Sequence, residues 1–269
     1  MNLTTRGRLE VLEFEAAARE GWPIRHGIST RGGGVSAGTY SSLNVGFRPG
    51  DEPANVVENR RRLCAAVAVP TDRFVSASLA HLANVRIIDS EELFGGFDVP
   101  GAGARGFDAL ITNMRGVTLF ATSADCALTL LFDPLNVVLA VVHAGWQGAA
   151  LNIHANVLRT MQLRFGSDPA RVFAGIGPTV SAAFYDVPPA RVNVLRSFYG
   201  NDLTASFCAE RDGRYYLDVE KLILHQLREL GVRAIETSPF KTDRDEELLF
   251  SARKHGETGR QALVAAIAS

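Results

Sequence analysis

Short apolar runs, each ended by polar residues, form the clearest pattern in the chain. Three of them, at 117–122, 127–132 and 137–142, are rich in Val, Leu and Thr and have the length of buried β-strands. The residues Asp133-Pro134-Leu135-Asn136 between the second and third runs predict a turn. We therefore predict that these two strands pair as a hairpin.

The predicted hairpin brings a thiol and an imidazole together at one edge of a sheet. Cys126 precedes the second strand, and His143 follows the third, directly before a Gly-Trp-Gln-Gly turn that opens a helix. Cysteine and histidine in such positions are often ordinary core residues. Asp125 favours a functional role for this pair, because burying a carboxylate between apolar strands costs free energy unless it has a partner. We predict that Cys126, His143 and Asp125 belong to a catalytic site.

Strand-like and helix-like segments alternate irregularly in the rest of the chain. Acidic residues and a proline at 51–53 predict a helix start, and an apolar stripe from Ala149 to Phe165 predicts another helix. This order favours an α/β fold over residues 1–269, a single-domain mixed α/β sandwich with a central mixed β-sheet and flanking helices, over a strict Rossmann or barrel order. Further helices are expected at 189–199 and 218–230, and strands at 8–16, 22–29, 74–79, 84–89, 108–112, 171–176 and 232–237.

Composition narrows the function classes. With 269 residues, 46% of them hydrophobic, and no linker-like stretch, the chain can form one large domain. Its formal net charge of -1 argues against nucleic-acid binding, and no apolar run reaches membrane-spanning length. Cys64, Cys126 and Cys208 are odd in number and far apart, and no signal peptide is evident, so we expect a cytoplasmic protein.

A third ligand completes a metal site. Among the other histidines, His81 is the best candidate, because it lies between short strand-like segments in apolar surroundings. One thiolate and two imidazoles suit zinc with a fourth position open, as in catalytic sites. Copper is the alternative metal. No methionine is placed as the axial ligand of a blue-copper centre, so we predict zinc on His81, Cys126 and His143.

A series of motifs in one order supports a family resemblance over almost the whole chain. On these motifs the chain resembles the laccase-domain family, also named for multicopper polyphenol oxidases, whose members are regarded as zinc-dependent purine nucleoside phosphorylases. The motifs are His26-Gly27-Ile28-Ser29-Thr30-Arg31-Gly32-Gly33-Gly34-Val35-Ser36, Ser42-Leu43-Asn44-Val45-Gly46, Glu58-Asn59-Arg60, Asp108-Ala109-Leu110-Ile111-Thr112, Ser123-Ala124-Asp125-Cys126, His143-Ala144-Gly145-Trp146-Gln147-Gly148, Gly175-Ile176-Gly177-Pro178 and Thr258-Gly259-Arg260.

The resemblance implies a reaction and its small-molecule partners. The family's three metal ligands fall on His81, Cys126 and His143. Its usual reaction is attack of phosphate on adenosine, inosine or guanosine, which releases the base and ribose 1-phosphate. Adenosine deamination and cleavage of methylthioadenosine are side activities. We expect the partners to be a nucleoside and phosphate, and the protein to be a monomer or homodimer.

The same resemblance suggests residues that contact the substrate. Arginines and Lys254 suit phosphate, and Asp125 or Asp108 suits a ligand-orienting or proton-donating role. The predicted substrate-binding residues are Arg31, Asn44, Arg60, Asp108, Gln147 and Arg253.

The chain departs from the family pattern beside the metal ligands. Leu79 and Leu82 replace a glutamine and a glycine around His81, and Gln147 replaces an arginine. Lys241 stands where many members have a cysteine, and it is a candidate for restoring the lost charge. If the family's arginine holds phosphate, phosphorolysis by this chain needs much phosphate, and Gln147→Arg lowers that requirement.

Three other functions compete with the phosphorylase. A cysteine hydrolase or amidase would use Cys126 as nucleophile, His143 as base and Asp125 as the residue that orients it. The hypothesis of a copper-dependent phenol oxidase is weakened because the chain offers a single three-ligand site, whereas laccase chemistry needs several copper ions. A non-catalytic member of the fold is favoured by the loss of the arginine at position 147.

Overall fold

The computed structural model describes residues 1–269. It contains sixteen β-strands and seven α-helices. No helix is both long enough and apolar enough to cross a membrane. The strands are β1 (Asn2–Arg6), β2 (Leu9–Glu13), β3 (Ile24–Ser29), β4 (Phe74–Ser78), β5 (Val85–Ile87), β6 (Ala104–Arg105), β7 (Ala109–Thr112), β8 (Thr118–Ser123), β9 (Ala127–Asp133), β10 (Val138–Ala144), β11 (Phe173–Ile176), β12 (Asp186–Val187), β13 (Cys208–Arg211), β14 (Arg214–Leu217), β15 (Ala234–Thr237) and β16 (Gln261–Ile267). The helices are α1 (Glu15–Arg19), α2 (Pro53–Val67), α3 (Trp146–Ala150), α4 (Ile153–Phe165), α5 (Pro189–Phe207), α6 (Val219–Glu229) and α7 (Ala252–His255).

The strands form two large mixed sheets and one small sheet. The seven-stranded sheet has the order β1-β2-β3-β16-β8-β4-β6, antiparallel from β1 to β8 and parallel from β8 to β6. The six-stranded sheet has the order β15-β11-β9-β10-β7-β5, antiparallel in the centre with a parallel pair at each end. Strands β12, β14 and β13 form the small antiparallel sheet.

The two large sheets pack face to face between helices. Phe132 of β9 and Leu263 of β16 belong to the same buried cluster between the sheets. Leu131, the neighbour of Phe132, points to the opposite face and packs with helices α4 and α6, because successive side chains of a strand alternate. Helix α2 covers the outer face of the seven-stranded sheet. The predicted mixed α/β sandwich is confirmed, with two central sheets where the pattern predicted one.

The predicted hairpin of β9 and β10 is also confirmed. The strands pair from Asp133 opposite Val138 to Ala127 opposite Ala144. The Asp133 carboxylate stabilises the turn by accepting hydrogen bonds from the backbone N–H groups of Leu135 (2.9 Å) and of the following residue (3.3 Å). Both faces of the hairpin are buried, which explains its continuous apolar runs.

Some elements differ from the prediction. The helix expected at 149–165 is two helices, because Asn152 takes a left-handed conformation and caps α4 through the N–H of Ala155. The helix expected at 189–199 extends to Phe207 across a break at Gly200. Strand β16, which we did not predict, lies in the centre of the seven-stranded sheet as a short apolar run that follows Gly256 and Gly259.

Candidate metal centre

The structure brings the three predicted ligands together from three separate segments. His81 lies in the loop after β4, Cys126 in the link between β8 and β9, and His143 near the end of β10. Their ligand atoms all lie within 4.8 Å of one another. The two imidazole rings have centroids 4.9 Å apart at an angle of 70°. The sulfur and two nitrogens therefore face a common point.

Cys126 is positioned by the crossing from one large sheet to the other. Only residues 124–126 separate β8 from β9, and Asp125 has a φ of 99° in this tight link. The Ser123 hydroxyl donates a hydrogen bond to the Cys126 carbonyl oxygen (2.6 Å). Burial by itself raises the pKa of the Cys126 thiol, but the adjacent imidazoles of His143 and His81 lower it overall. The thiolate, the form that binds metals, is thereby favoured.

Asp108 orders two of the ligands at once. Its fully buried carboxylate accepts hydrogen bonds from the backbone N–H groups of Ala80 (3.2 Å), His81 (2.9 Å) and Leu82 (3.0 Å). These three bonds hold His81 at a φ of 58°, a conformation that is uncommon for a residue other than glycine. The same carboxylate lies 3.1 Å from Nδ1 of His143. Nδ1–H of His143 therefore donates to Asp108, and Nε2 is left for a metal.

Asp108→Asn is expected to weaken zinc affinity by about ten- to a hundredfold, as for other residues that orient metal ligands. Asp133→Asn is the matched control, since Asp133 is 1% exposed and also accepts backbone N–H bonds but lies at the far hairpin turn. Competition with a chromogenic chelator measures both affinities. Equal zinc affinities for the two variants would show that Asp108 does not orient the ligands.

Two glycines of the Gly-Trp-Gln-Gly turn are required by close approach. A Cβ atom on Gly145 would lie 2.9 Å from the Cys126 sulfur and 3.7 Å from Nδ1 of His81. A Cβ atom on Gly148 would lie 2.9 Å from the Leu82 carbonyl oxygen. The turn therefore packs directly against the Cys126 and His81 segments.

Gly145→Ala is expected to lower zinc affinity by roughly tenfold, because overpacking of this kind costs about 1–3 kcal/mol. Gly32→Ala is the control, since a methyl group there meets no atom within 4 Å. The same chelator competition compares them. Retention of full zinc affinity by Gly145→Ala would mean that the sulfur can move without loss.

A cavity of about 580 Å³ opens onto the three ligands. Its lining residues include no aspartate or glutamate. They include three arginines, Arg48, Arg60 and Arg260, and hydroxyl groups contributed by Ser76, Ser78, Thr122 and Ser123. A cavity with this lining attracts anions.

Arg48 and Arg260 line the cavity with free donors, and neither was predicted from the sequence as a substrate contact. Arg48 is exposed and forms no ion pair. Arg260 uses only Nη1, which donates to the carbonyl oxygens of Thr258 (2.8 Å) and Gly259 (2.9 Å). Burial and the nearby charge of Arg48 lower the pKa of Arg260. The signal for Arg260 was its place in the closing Thr-Gly-Arg motif, whereas nothing in the sequence pointed to Arg48.

Arg60 also lines the cavity, and its Nε and Nη1 are used within the protein. Its guanidinium donates to the carbonyl oxygens of Val45 (2.7 Å), Gly96 and Phe97 (3.0 Å), and it lies 4.3 Å from the ring centroid of Phe47. Arg60 therefore joins the cavity walls, and its predicted substrate contact, for which Nη2 remains available, stays a prediction.

Asp125 is turned away from the ligands. Its carboxylate accepts hydrogen bonds from the hydroxyls of Thr242 (2.6 Å) and Ser251 (2.7 Å) and from the backbone N–H of Arg253 (2.6 Å). The partner that the sequence argument required is thus this set of protein donors. The contact with His143 expected of Asp125 is made by Asp108 instead, and the catalytic role of Asp125 stays a prediction.

Other predicted substrate residues lie outside the cavity lining. The Arg31 guanidinium donates to the carbonyl oxygens of Ser41 and Glu246. Arg253 pairs with Asp186, and Gln147 is exposed in the first turn of α3. Because their donors are satisfied elsewhere or face solvent, the structure does not bring these side chains to the metal centre.

The remaining predicted residues have protein partners as well. Asn44 is buried and accepts the backbone N–H of Arg260 (2.9 Å), so it positions an arginine of the cavity. Lys241 pairs with Glu220, and Lys254 pairs with Glu246. Lys241 therefore does not restore the charge missing at Gln147.

The layered sheets and the His-Cys-His group beside an anion-attracting cavity define an α/β protein with a candidate three-ligand metal centre. The chain belongs to the family described as multi-copper polyphenol oxidoreductase laccase, which matches residues 25–268. The resemblance found in the motifs is thereby confirmed.

Similar proteins carry a narrower functional name. A protein of Corynebacterium glutamicum named purine nucleoside phosphorylase is 36% identical over 89% of this chain and 93% of its own length. A Streptomyces coelicolor protein with the same name is 35% identical over 88% of this chain and 92% of its own. These names indicate an enzyme of the nucleoside phosphorylase type.

Solved structures share the fold over nearly the full length. The crystal structure of YlmD from Geobacillus stearothermophilus has a TM-score of 0.88 at 29% identity, covering 99% of each chain. The hypothetical protein YfiH of Bacillus licheniformis has a TM-score of 0.91 at 24% identity, covering 98% of each chain. The second comparison concerns the fold alone.

Proposed function

We propose that the protein is a zinc-dependent purine nucleoside phosphorylase that converts adenosine, inosine or guanosine to the free base and ribose 1-phosphate. The observation that carries this proposal is the cavity beside His81, Cys126 and His143, which has two arginines with free donors and no carboxylate in its lining. The names of the relatives that cover most of the chain support the same reaction.

The three ligands fit zinc. In tetrahedral zinc sites, with Zn–S near 2.3 Å and Zn–N near 2.0–2.1 Å, the ligand atoms are about 3.5 Å apart. The ligand atoms here lie within 4.8 Å of one another, so small side-chain movements would bring them to the distances that zinc requires. His143 presents Nε2, and Cys126 is disposed to be a thiolate. When bound, zinc supplies a Lewis acid with one open position.

The residues of the cavity match the parts of the reaction. A phosphate oxygen forms a bond to C1′ of ribose while the bond from C1′ to the purine nitrogen breaks. The proton that hydrogen phosphate loses passes to the released base. Arg48 and Arg260 bind the phosphate and hold it for attack. Ser78 and Ser123 line the same cavity, and their hydroxyl groups can exchange hydrogen bonds with the ribose hydroxyls. Asp108 orients the ligands and takes no proton from substrate.

Deamination of adenosine and cleavage of methylthioadenosine are proposed as side activities. Deamination consumes water in place of phosphate, so it does not require Arg48 or Arg260. The proposed partners are small molecules, with no nucleic acid and no membrane, and the protein acts as a monomer or homodimer. The formal net charge of -1 supports the choice of small anions over polyanions.

Product analysis tests the reaction. Zinc-loaded protein is incubated with adenosine, with and without phosphate, and adenine, inosine and hypoxanthine are separated by chromatography. We expect adenine and ribose 1-phosphate only with phosphate, and any inosine in both conditions. If no nucleoside reacts in either condition, the phosphorylase proposal fails and a hydrolase or a non-catalytic role replaces it.

Purified protein is expected to contain at most about one zinc per chain, because three ligands form one centre and binding requires a deprotonated cysteine and neutral histidines. Elemental analysis of protein prepared without added metal measures this. Stoichiometric copper without zinc would favour the oxidase, although the structure contains only one cluster of potential ligands.

A cysteine hydrolase is the second candidate, and one observation favours it. Cys126 lies beside His143, which contacts Asp108, so the three could serve as nucleophile, base and orienting carboxylate respectively. Titration with a thiol reagent separates the candidates. A thiolate bound to metal reacts only after a chelator removes the metal, whereas a nucleophile reacts equally without chelator.

A further inference from the structure

A second cleft, of about 500 Å³, lies between the β1–β2 hairpin and helix α2, and we call it the hairpin cleft. It shares no lining residue with the cavity at the metal centre. Four arginines, Arg6, Arg8, Arg61 and Arg62, line it together with a single carboxylate, Glu58. Such a concentration of guanidinium groups in one concave surface is the first sign of an anion site.

The positive charges of the hairpin cleft are only partly compensated. Glu58 is shared, because it accepts hydrogen bonds from Arg61 (2.8 Å) and from Nε of Arg62 (2.7 Å). Arg6 is paired with Glu13 at 2.9 Å, and Arg8 forms no ion pair with the protein. Four guanidinium groups thus face two carboxylates, which leaves two positive charges without a partner.

The arginines are carried by ordered backbone. Arg6 pairs with Leu9 across the hairpin, so Gly7 and Arg8 form a two-residue turn, with Gly7 at a φ of 65°. Helix α2 presents Arg61 and Arg62 from the other side. The cleft is therefore formed before any ligand arrives, which limits the entropy lost on binding.

The loop after β3 contains three consecutive glycines, Gly32–Gly34, and Gly33 packs against the hairpin cleft. Gly33 has a φ of 86°, and a Cβ atom on it would lie 2.4 Å from the Leu9 side chain. Its carbonyl oxygen accepts a hydrogen bond from Nη1 of Arg62 (3.0 Å). The glycine loop thus joins the hairpin to α2 and fixes Arg62, while Nη2 of Arg62 and Nη1 of Arg61 keep free N–H groups.

We propose that the hairpin cleft binds the phosphate group of a small metabolite, either inorganic phosphate or a sugar phosphate. Guanidinium groups match phosphate oxygens in geometry and stay charged at all physiological pH values. Leu9, Ala65 and Ala66 give the cleft an apolar part that can contact the body of a sugar phosphate. The proposal is independent of the reaction at the metal centre.

Calorimetric titration of the full chain with inorganic phosphate and, separately, with ribose 5-phosphate tests the proposal. The double variant Arg48→Gln, Arg260→Gln removes both phosphate contacts proposed at the metal centre, and we expect it to retain one phosphate site. Adding Arg8→Gln and Arg61→Gln is expected to weaken that site at least tenfold. Adding Arg159→Gln, an exposed arginine of α4 outside both clefts, is expected to leave it unchanged.

Two results would overturn the proposal: double-variant protein (Arg48→Gln, Arg260→Gln) that binds neither probe, or binding that survives the added Arg8 and Arg61 changes. Tighter binding of ribose 5-phosphate than of inorganic phosphate supports a sugar phosphate, and the reverse supports the free ion. Arg8 and Arg61 are exposed, so the variants are expected to keep the thermal unfolding midpoint of the Arg159→Gln control. Because binding is the readout, failure of nucleoside cleavage does not affect the result.

Discussion

Cys126→Ala is expected to abolish zinc retention and to reduce nucleoside cleavage by at least about a thousandfold, with little change in the unfolding transition. A bound metal contributes several kcal/mol to charge stabilisation, and each 1.36 kcal/mol corresponds to a factor of ten in rate. Cys126 is the only thiol at the centre. Its loss leaves two imidazoles, which are too few for a stable zinc site.

Cys208→Ala provides the control for Cys126→Ala. Cys208 is buried and free but lies at the start of β13, outside the metal centre. We expect this variant to keep its zinc and its activity, with any loss confined to stability. Elemental analysis, product formation and urea unfolding are measured on both variants. Wild-type turnover in Cys126→Ala would exclude both the metal centre and the cysteine nucleophile.

Arg260→Gln is expected to raise the phosphate KM for inosine cleavage by about ten- to a hundredfold. A hydrogen bond to a charged group contributes about 1.5–3 kcal/mol, which corresponds to that range. Any conversion of adenosine to inosine without phosphate is expected to be unchanged. Initial rates over a range of phosphate concentrations give the KM, and Arg48→Gln is expected to show the same separation of the two activities.

Arg253→Gln is the control for Arg260→Gln, because the Arg253 guanidinium is paired with Asp186 and lies outside the cavity lining. Equal phosphate KM values in the two variants would remove Arg260 from the phosphate site. Gln147→Arg tests the expectation from the sequence. A lower phosphate requirement in that variant would show that the first turn of α3 also faces phosphate, and an unchanged requirement would show that position 147 does not.

The cysteine and one histidine of the centre could be predicted because they depend on a local hairpin. The apolar runs and the turn at Asp133 specify β9 and β10, and antiparallel pairing then places Cys126 near His143 without knowledge of the remaining chain. The choice of His81 combined its apolar surroundings with the family resemblance. The structure confirms that these three residues lie together.

The residues around the ligands depended on contacts that the sequence pattern does not encode. Asp108 and Asp125 are both acidic residues beside central strands, yet only Asp108 contacts His143. Residues Thr242 and Ser251, distant in sequence, satisfy Asp125 and turn it away. Which carboxylate serves the site was therefore decided by the partners that folding supplied.

The sequence by itself determined the mixed α/β class and the hairpin that places Cys126 near His143, because periodicity and turn residues report local backbone and burial. Only the tertiary structure decided which cations face the cavity. Arg260 reaches it because β16 inserts between β3 and β8, a pairing of distant segments with no local signal. Arg31 was equally plausible in sequence, but it lies outside the cavity lining and backbone carbonyl groups take up its donors. A side chain's role follows from the partners it finds, and those are fixed only when the sheets assemble.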